Sequence, residues 1–246
     1  MLEDTACRLV WGKRYGLIRR NGMGKSTMLQ AFAAPRVGNV PPNVSVHYVS
    51  QEVTLTEDQW DKNPVECVID ADIERALLND ELAALEVRAA GGTLDAARSG
   101  RHGEVLSRLD KIGGDSSHHR AETLLSNRGF SGELRARPLL LQLLGEWRVR
   151  TMLSAEIFAK PDLLLLDDPT NHLIILAVVW IMRDLSSSKT WNDRIVVMVS
   201  HDRQFIDEMC SDCLHISGAA KHLTQAQGNY SSWYKRRTEL QALFKK

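Results

Sequence analysis

The sequence has no excess of charge of either sign. Its 246 residues carry 31 Lys and Arg against 31 Asp and Glu, which gives a formal net charge of +0 at pH 7. A protein without a net field is not drawn as a whole to nucleic acid or to anionic lipid, although a local basic patch stays compatible with the composition. Sequence-specific DNA binding is therefore not expected.

Long apolar runs are also missing. Apolar runs such as 163–166 have the length of a strand and fall far below the ~20 residues that a membrane helix needs. The amino terminus carries Glu3 and Asp4 and lacks the apolar stretch of a secretory signal. We therefore expect no membrane insertion and a cytoplasmic location.

Cysteine is scarce as well. The four cysteines are too few and too scattered for a disulfide framework in a chain of this size. Cys210 and Cys213 have CxxC spacing, but no second Cys or His pair nearby completes a zinc site. We therefore interpret Cys210 and Cys213 as two small residues near a helix end and not as ligands of a metal centre.

The apolar pattern predicts strands that alternate with helices. Helix-forming residues follow a first strand from Lys25 onward, and one long charged helix is predicted over 64–90 because apolar residues recur there at three and four. A basic helical tail is predicted over 230–246. The predicted strand regions are 7–18 with its turn, 45–49, 163–166 and 194–199. This order favours an α/β fold with a mostly parallel sheet.

A glycine-rich loop between the first strand and the first helix carries the first chemical signal. In a phosphate-binding loop the backbone N–H groups and the helix N-terminus cradle phosphates, while Lys25 reaches the β and γ oxygens and the Ser26 hydroxyl ligates Mg²⁺. Arg19 replaces the usual first glycine, and strain of order 1–3 kcal/mol is expected to weaken nucleotide binding. An ordinary glycine-rich turn is the alternative. The candidate nucleotide-binding residues are Asn21, Gly22, Met23, Gly24, Lys25, Ser26 and Thr27.

Two adjacent carboxylates carry the second signal. The apolar strand 163–166 leads directly into Asp167 and Asp168. Asp167 is suited to hold the Mg²⁺, and Asp168 to orient a water toward the γ-phosphate. The alternative is a core strand that ends in a solvated turn. With the glycine-rich loop upstream, the pair predicts an ATP site.

Four segments in this order resemble the Walker A, Q-loop, Walker B with D-loop, and switch-histidine segments of ABC ATPases. They are Lys25-Ser26-Thr27, Gln51, Leu166-Asp167-Asp168-Pro169-Thr170-Asn171-His172-Leu173 and Ser200-His201-Asp202-Arg203. The resemblance implies a P-loop NTPase fold, an ABC-type cassette, and ATP and Mg²⁺ as ligands. It also implies that Gln51 touches the metal or the attacking water and that His201 donates a hydrogen bond to the γ-phosphate.

Several positions depart from the family pattern. The signature segment aligns with Leu144-Gly145-Glu146-Trp147, in which only Gly145 and Trp147 agree with the family. In the family this segment binds the γ-phosphate held by the opposite cassette. In this chain Leu144 has no hydroxyl to donate to that phosphate, and Glu146 adds a negative charge that repels it. Ile174 replaces the D-loop Asp, and Asp168 is one methylene shorter than the usual Glu, so slow turnover is predicted.

Within the ABC ATPases the chain is most similar to the ABC-F proteins, including those of eukaryotes that act on ribosomes, and it resembles their first cassette. The similarity rests on Trp147-Arg148-Val149-Arg150, Asn171-His172-Leu173, Gly228-Asn229-Tyr230-Ser231 and the long helical stretch between Gln51 and Gly145. It implies a second ABC cassette, on the same or another chain, and a ribosome or translation factor as partners. The family usually has two cassettes, so a truncated chain is suspected.

The resemblance suggests four parts of the chain. They are 1–52, the first part of the ATP-binding core; 53–146, a helical insertion leading to the signature; 147–228, the second part of the core; and 229–246, the start of an inter-cassette linker helix. Three functions stay open: an ABC-F ATPase acting in translation, a degenerate non-hydrolysing cassette used for dimerisation or regulation, and the nucleotide-binding subunit of an ABC transporter.

Overall fold

The fold is described from a computed structural model. It covers residues 7–18, 24–34, 41, 44–51, 56–90, 96–112, 116–138, 145–171, 175–187, 191–217 and 222–243. The chain forms two compact units: a sheet unit of residues 1–53 and 161–246, and a helical unit of residues 54–160. In the described part of the chain, no helix is long and apolar enough to cross a bilayer.

The sheet unit contains six strands and four helices among its described residues. The strands are β1 (Arg14–Ile18), β2 (Val46–Val49), β3 (Leu163–Asp167), β4 (Ile195–Val199), β5 (Asp212–Ile216) and β6 (Leu223–Gln227). The helices are α1 (Lys25–Ala33), α8 (Ile175–Ser187), α9 (Arg203–Met209) and α10 (Tyr230–Leu243). The sheet order is β2-β3-β4-β1-β5-β6, in which only the β5–β6 pairing is antiparallel. The predicted α/β fold with a mostly parallel sheet is therefore confirmed.

Burial on both faces explains why the central strands are so apolar. Every residue of β3 and of β4 is buried, as expected for central strands of a parallel sheet with helices on both sides. One face packs against Met28 and Leu29 of α1. On the other face α9 approaches β1 so closely that a Cβ at Gly16 would lie 2.6 Å from the Cys210 sulfur. These contacts fix the carboxyl ends of the strands.

The helical unit is built from six α-helices among its described residues. They are α2 (Pro64–Asp70), α3 (Ile73–Ala90), α4 (Ala96–Ile112), α5 (Ser117–Ser126), α6 (Gly132–Ala136) and α7 (Gly145–Ala159). One apolar core joins α2, α5 and α7 through Val68, Leu125 and Ala155. A smaller one joins α3 and α4 through Leu85 and Val105.

The prediction of one continuous helix over 64–90 is wrong, because the chain forms α2 and α3 with a break at Ala71 and Asp72. The Asp72 carboxylate accepts a hydrogen bond from the backbone N–H of Arg75 at 3.1 Å. The Arg75 side chain in turn donates to the carbonyl of Ile69 at 3.1 Å. Asp72 therefore starts a new helix, although the apolar period continues across the break.

The helix that follows the signature-like segment packs with the helical unit. It runs over Gly145–Ala159, and it contacts α2 and α5. The compact helical unit consequently extends to Lys160, whereas the helical insertion suggested by the sequence ends at residue 146. The contacts with α2 and α5 account for this difference.

Candidate functional site

The N-terminus of α1 lies at the carboxyl end of β1. Gly24 caps the helix with φ 81°, a left-handed conformation that favours glycine. The first turn then contains Lys25, Ser26 and Thr27 and no acidic residue. Its backbone N–H groups have no intrahelical acceptors, and the helix dipole is positive here. This helix end can therefore bind an anion. Arg19, Asn21, Gly22 and Met23 lie outside the described residues.

Asp167 ends strand β3 at the same edge of the sheet. It is paired in register with Val199 of β4, and only 4% of its surface is exposed. Its Oδ2 atom accepts a hydrogen bond from the Tyr48 hydroxyl at 2.9 Å. Burial, together with the hydrogen bond and charge of Asp167, raises the pKa of Tyr48 to about 12. The phenol therefore stays protonated near neutral pH and keeps donating to the carboxylate.

Asp168 follows in a left-handed conformation with φ 51° and is 7% exposed. Aspartate is one of the few non-glycine residue types that adopt this conformation. Its N–H donates to the carbonyl of Val199 at 2.9 Å. The hydroxyl oxygens of Thr170 and Ser200 each lie 3.3 Å from its Oδ1 atom. Since these two hydroxyls also hydrogen-bond to each other, only one of them can donate to the carboxylate at a time. These contacts hold the carboxylate at the ends of β3 and β4.

His201 lies next to this carboxylate. Its Nε2 atom is 3.5 Å from Oδ2 of Asp168, and its backbone N–H is 3.4 Å from Oδ1. The side chain is 56% exposed, so it faces solvent beside a buried acid. Ser200 and Thr170 share a hydroxyl contact of 2.7 Å. The two predicted residues Asp168 and His201 are thus in contact. The sequence analysis did not predict that the hydroxyls of Thr170 and Ser200 lie beside Asp168.

Gln51 lies two residues beyond the end of β2 and is exposed. Because β2 and β3 are parallel neighbours, it follows the strand end closest to Asp167. Within the described residues, no hydrogen bond joins the Gln51 side chain to Asp167 or Asp168. The sequence-predicted residue is therefore at the same sheet edge, without a hydrogen bond to the two described carboxylates.

The segment aligned with the ABC signature belongs to the helical unit. Glu146 forms an ion pair with Arg150 at 2.5 Å, and the Arg150 guanidinium lies 4.6 Å from the centre of the Trp147 ring. The negative charge expected at Glu146 is therefore compensated within its own helix. Leu144 and Ile174 lie outside the described residues.

The residues at the sheet edge fit a magnesium ion that is bound together with phosphates. Mg²⁺ is commonly held by one or two carboxylates plus phosphate oxygens, rather than by a cage of protein ligands. Oδ2 of Asp167 accepts the hydrogen bond from Tyr48. Among the described residues, no side chain donates a hydrogen bond to Oδ1. The Ser26 hydroxyl belongs to the first turn of α1. Within the described residues there is no cluster of three or more His, Cys, Asp or Glu that could hold a metal ion.

Comparisons with known proteins agree with the resemblance in the sequence. The model of the ABC transporter family matches residues 2–171. Mouse ATP-binding cassette sub-family F member 2 is 34% identical over 98% of this chain and 35% of its own length. Mouse ATP-binding cassette sub-family F member 3 is 34% identical over 97% of this chain and 32% of its own length. ABC transporter F family member 4 of Arabidopsis thaliana is 34% identical over 99% of this chain and 34% of its own length. The chain spans about a third of the length of these curated relatives.

Solved structures show the same fold at low sequence identity. A dimeric ATP-binding cassette in a post-hydrolysis state bound to ADP and Pi has a TM-score of 0.59 at 15% identity, covering 92% of this chain and 90% of that one. The complex of the archaeal ribosomal stalk protein aP1 and the archaeal ribosome recycling factor aABCE1 has a TM-score of 0.55 at 18% identity. The match covers 89% of this chain and 35% of that one. The predicted P-loop NTPase fold is confirmed. The chain belongs to the ABC transporter family and is a nucleotide-binding cassette of the ABC-F type.

Proposed function

We propose that this cassette binds MgATP and hydrolyses it slowly, and that it acts in translation together with a second cassette. One observation carries the proposal: the Gly24-capped end of α1 and the consecutive carboxylates Asp167 and Asp168 lie at one edge of the parallel sheet. An anion-binding helix end beside two buried acids is what a magnesium–triphosphate ligand requires.

Binding uses the first turn of α1. Its backbone N–H groups and the Lys25 ammonium hold the phosphate oxygens, and charge-assisted hydrogen bonds of this type are short and strong. Ser26 and Asp167 would hold the cation, and the hydrogen bond from Tyr48 orients the Asp167 carboxylate. When bound, Mg²⁺ offsets negative charge on the phosphate oxygens.

Hydrolysis uses Asp168 and His201. The Asp168 carboxylate orients the attacking water and accepts its proton. His201 donates a hydrogen bond to the γ-phosphate, and Gln51 contacts the attacking water or the metal. Ser200 and Thr170 hold Oδ1 of Asp168, which leaves Oδ2 beside His201 for the water. Because the side chain is short and its Oδ1 atom is already engaged by a hydroxyl and by the His201 N–H, we expect low turnover.

The partners follow from the relatives. The matched relatives are sub-family F proteins about three times as long as this chain, so a second cassette is proposed as the dimerisation partner. A ribosome or translation factor is proposed as the target, and a cytoplasmic location goes with it. Nucleotide-dependent co-sedimentation with ribosomes is the expected result, and recovery only in the ribosome-free fraction would contradict it.

Calorimetric titration with MgATP tests binding. Lys25→Ala is expected to weaken binding by about tenfold to a hundredfold, since a hydrogen bond to a charged group is lost. Lys235→Ala is the matched control, because Lys235 is exposed on α10 and takes no part in the proposed site. Well-folded wild-type protein that gives no heat at millimolar MgATP would rule out the proposal.

Steady-state phosphate release tests hydrolysis. Asp168→Glu is expected to raise turnover, because the longer carboxylate reaches the attacking water, and Asp168→Asn to lower it. Unchanged rates in both variants would argue against the role of Asp168.

A non-hydrolysing cassette is the second candidate, favoured by the hydrogen bonds that already engage Asp168. Measurable turnover that is lost in Lys25→Ala would exclude it. A transporter subunit would instead co-purify with an integral membrane partner.

A further inference from the structure

The two oxygens of the Asp167 carboxylate have different surroundings. Oδ2 accepts the hydrogen bond from the Tyr48 hydroxyl at 2.9 Å, whereas Oδ1 receives no hydrogen bond from any side chain in the described part of the chain. The residue is 4% exposed, so water has little access to replace a lost partner. A cation that approaches Asp167 therefore meets one oxygen that is engaged and one that is available.

Tyr48 is fixed by contacts on two sides. Its ring is partly buried and packs against the apolar core of the sheet unit, which includes Leu29 of α1 and Leu165 of β3. The Gln30 side chain of α1 also forms a hydrogen bond with the Tyr48 hydroxyl. A hydroxyl has one proton, and an ionised carboxylate only accepts, so Tyr48 donates to Asp167 and accepts from the Gln30 amide. The hydroxyl proton therefore stays directed at Oδ2.

The neighbouring acid does not supply further available oxygens. The hydroxyl oxygens of Thr170 and Ser200 each lie 3.3 Å from Oδ1 of Asp168. Its Oδ2 atom is 3.5 Å from Nε2 of His201. Of the four oxygens of these two acids, only Oδ1 of Asp167 has no hydrogen-bonding group beside it among the residues that the structure describes.

This arrangement suits one common divalent cation better than another. Ca²⁺ takes about six to eight oxygen ligands and often binds both oxygens of one carboxylate. Mg²⁺ requires near-octahedral geometry, keeps several waters, and is bound through one or two carboxylates together with phosphate oxygens. A buried carboxylate with a single available oxygen meets the requirement of Mg²⁺ and removes a ligand that Ca²⁺ would use.

We propose that Tyr48 favours Mg²⁺ over Ca²⁺ at the nucleotide site by keeping Oδ2 of Asp167 from the cation. The proposal rests on the ATP-binding function proposed above and adds to it a residue that determines the choice of metal. Tyr48 is a positioning residue, because it acts through Asp167. Loss of a hydrogen-bond partner behind a metal ligand typically changes metal affinity by about 10–100-fold.

Calorimetric titrations with MgATP, with CaATP and with ATP in EDTA test the proposal. Tyr48→Phe keeps the ring that packs in the core and removes only the hydroxyl. The ratio of the CaATP to the MgATP dissociation constant is expected to fall about tenfold relative to wild type, because both oxygens of Asp167 become available to Ca²⁺. The affinity for ATP in EDTA should stay the same, since no metal is bound there.

Tyr15→Phe is the matched control. Tyr15 is a buried tyrosine of the same sheet, and its hydroxyl accepts a hydrogen bond from the Val10 N–H at 2.9 Å. Loss of this hydroxyl should lower the stability of the sheet unit and leave the ratio of the two dissociation constants unchanged. An equal fall of the ratio in Tyr15→Phe would overturn the proposal, because general loosening of the sheet would then explain the effect.

A second variant and a spectroscopic measurement keep the proposal testable if Tyr48→Phe does not fold. Gln30→Ala leaves Tyr48 in place and removes the bond that directs its hydroxyl, so it should produce part of the fall in the ratio. Infrared difference spectra, CaATP minus ATP in EDTA, report how the carboxylate binds. The antisymmetric and symmetric carboxylate stretches move apart when one oxygen binds a cation and move together when both do. We expect separation in wild type and convergence in Tyr48→Phe, and convergence in wild type would overturn the proposal.

The two proposals fail in different ways. If wild type binds MgATP and Tyr48→Phe keeps the wild-type ratio of dissociation constants, the role of Tyr48 is wrong and ATP binding stands. An equal loss of affinity for all three ligands would also overturn that role, since it would indicate a collapsed site. If wild type binds none of the three ligands, the ATP-binding function itself is wrong.

Discussion

In the sheet unit the central strands β3 and β4 are buried at every residue, whereas in the helical unit the pair α3 and α4 buries only a narrow seam. Large apolar side chains on α3 stay exposed, with Leu77 at 64% and Val87 at 74%. Ion pairs such as Arg101 with Glu81 lie on the surface of this pair. The two units therefore owe their order to different kinds of interaction.

The difference follows from what each unit must hold in place. The sheet unit keeps Asp167 and Asp168 in fixed positions, and buried strands on both sides provide that rigidity. The α3–α4 pair holds none of the predicted catalytic or ligand-binding residues.

The largest expected effect is in the sheet core. Leu165→Ala removes a fully buried side chain of β3 and should cost ~3–5 kcal/mol of unfolding free energy, because a cavity remains. Chemical denaturation followed by a probe in the sheet unit measures this loss. A cost below that of Leu85→Ala would reverse the comparison between the units.

The next effect is local to the helical unit. Leu85→Ala removes a side chain that is 7% exposed and packs against Val105 and Leu109. We expect a loss of ~2 kcal/mol, since the thin seam relaxes more easily. Hydrogen exchange followed by mass spectrometry should show the loss in α3 and α4 only. Leu77→Ala is the matched control and should change nothing measurable, as Leu77 is exposed.

Removal of a helix cap should have a smaller effect. Asn63 accepts hydrogen bonds from the N–H groups of Val65 and Glu66 at 2.9 and 3.0 Å, and Glu66 accepts from the Asn63 N–H at 2.8 Å. Asn63→Ala should cost ~1 kcal/mol. Exchange of the α2 amides measures the loss, and Asn63→Asp should restore most of it. An unchanged α2 would show that packing against α5 and α7 alone holds this helix.

A pH dependence distinguishes the sheet edge from the helices. The pKa of Tyr48 is raised from 10.0 to about 12, so the stability it contributes is present below pH 10 and is lost as the pH rises to 12. Tyr48→Phe should lose stability less steeply between pH 10 and 12. Thermal unfolding across this range measures the slope. Identical slopes in the two proteins would contradict the hydrogen bond to Asp167.

The smallest effect is expected at the surface of the α3–α4 pair. Arg101 contacts Glu81 at 2.7 Å, but its side chain is 51% exposed, and solvent screens such pairs. Arg101→Gln should leave thermal unfolding unchanged within error, at low and at high salt. A clear loss would mean that ion pairs compensate for the narrow apolar seam.

The buried strands and the first helix were predictable from the sequence. Residues 163–166 and 195–199 are apolar throughout because both faces of their strands are covered, and α1 begins at Lys25 as predicted. Strands β5 and β6 were not predicted, since β6 lies at an edge and is mostly polar. The break between α2 and α3 depends on hydrogen bonds of Asp72 and Arg75, which the apolar period does not reveal.

The candidate site divides in the same way. Lys25, Asp167, Asp168 and His201 belong to motifs that are local in sequence, so their positions could be predicted. The hydrogen bond from Tyr48 to Asp167 depends on the register between β2 and β3, in which Tyr48 is opposite Leu165. No local pattern encodes that pairing.

The close approach at Gly16 makes the site vulnerable to a change far from any polar group. A methyl group there would press on Cys210 and on Ile206, whose Cγ2 atom would be 3.0 Å away. Helix α9 begins two residues after His201, so a shift of this helix would displace the histidine as well. Gly16→Ala would therefore disturb the position of His201 while leaving every motif of the cassette intact.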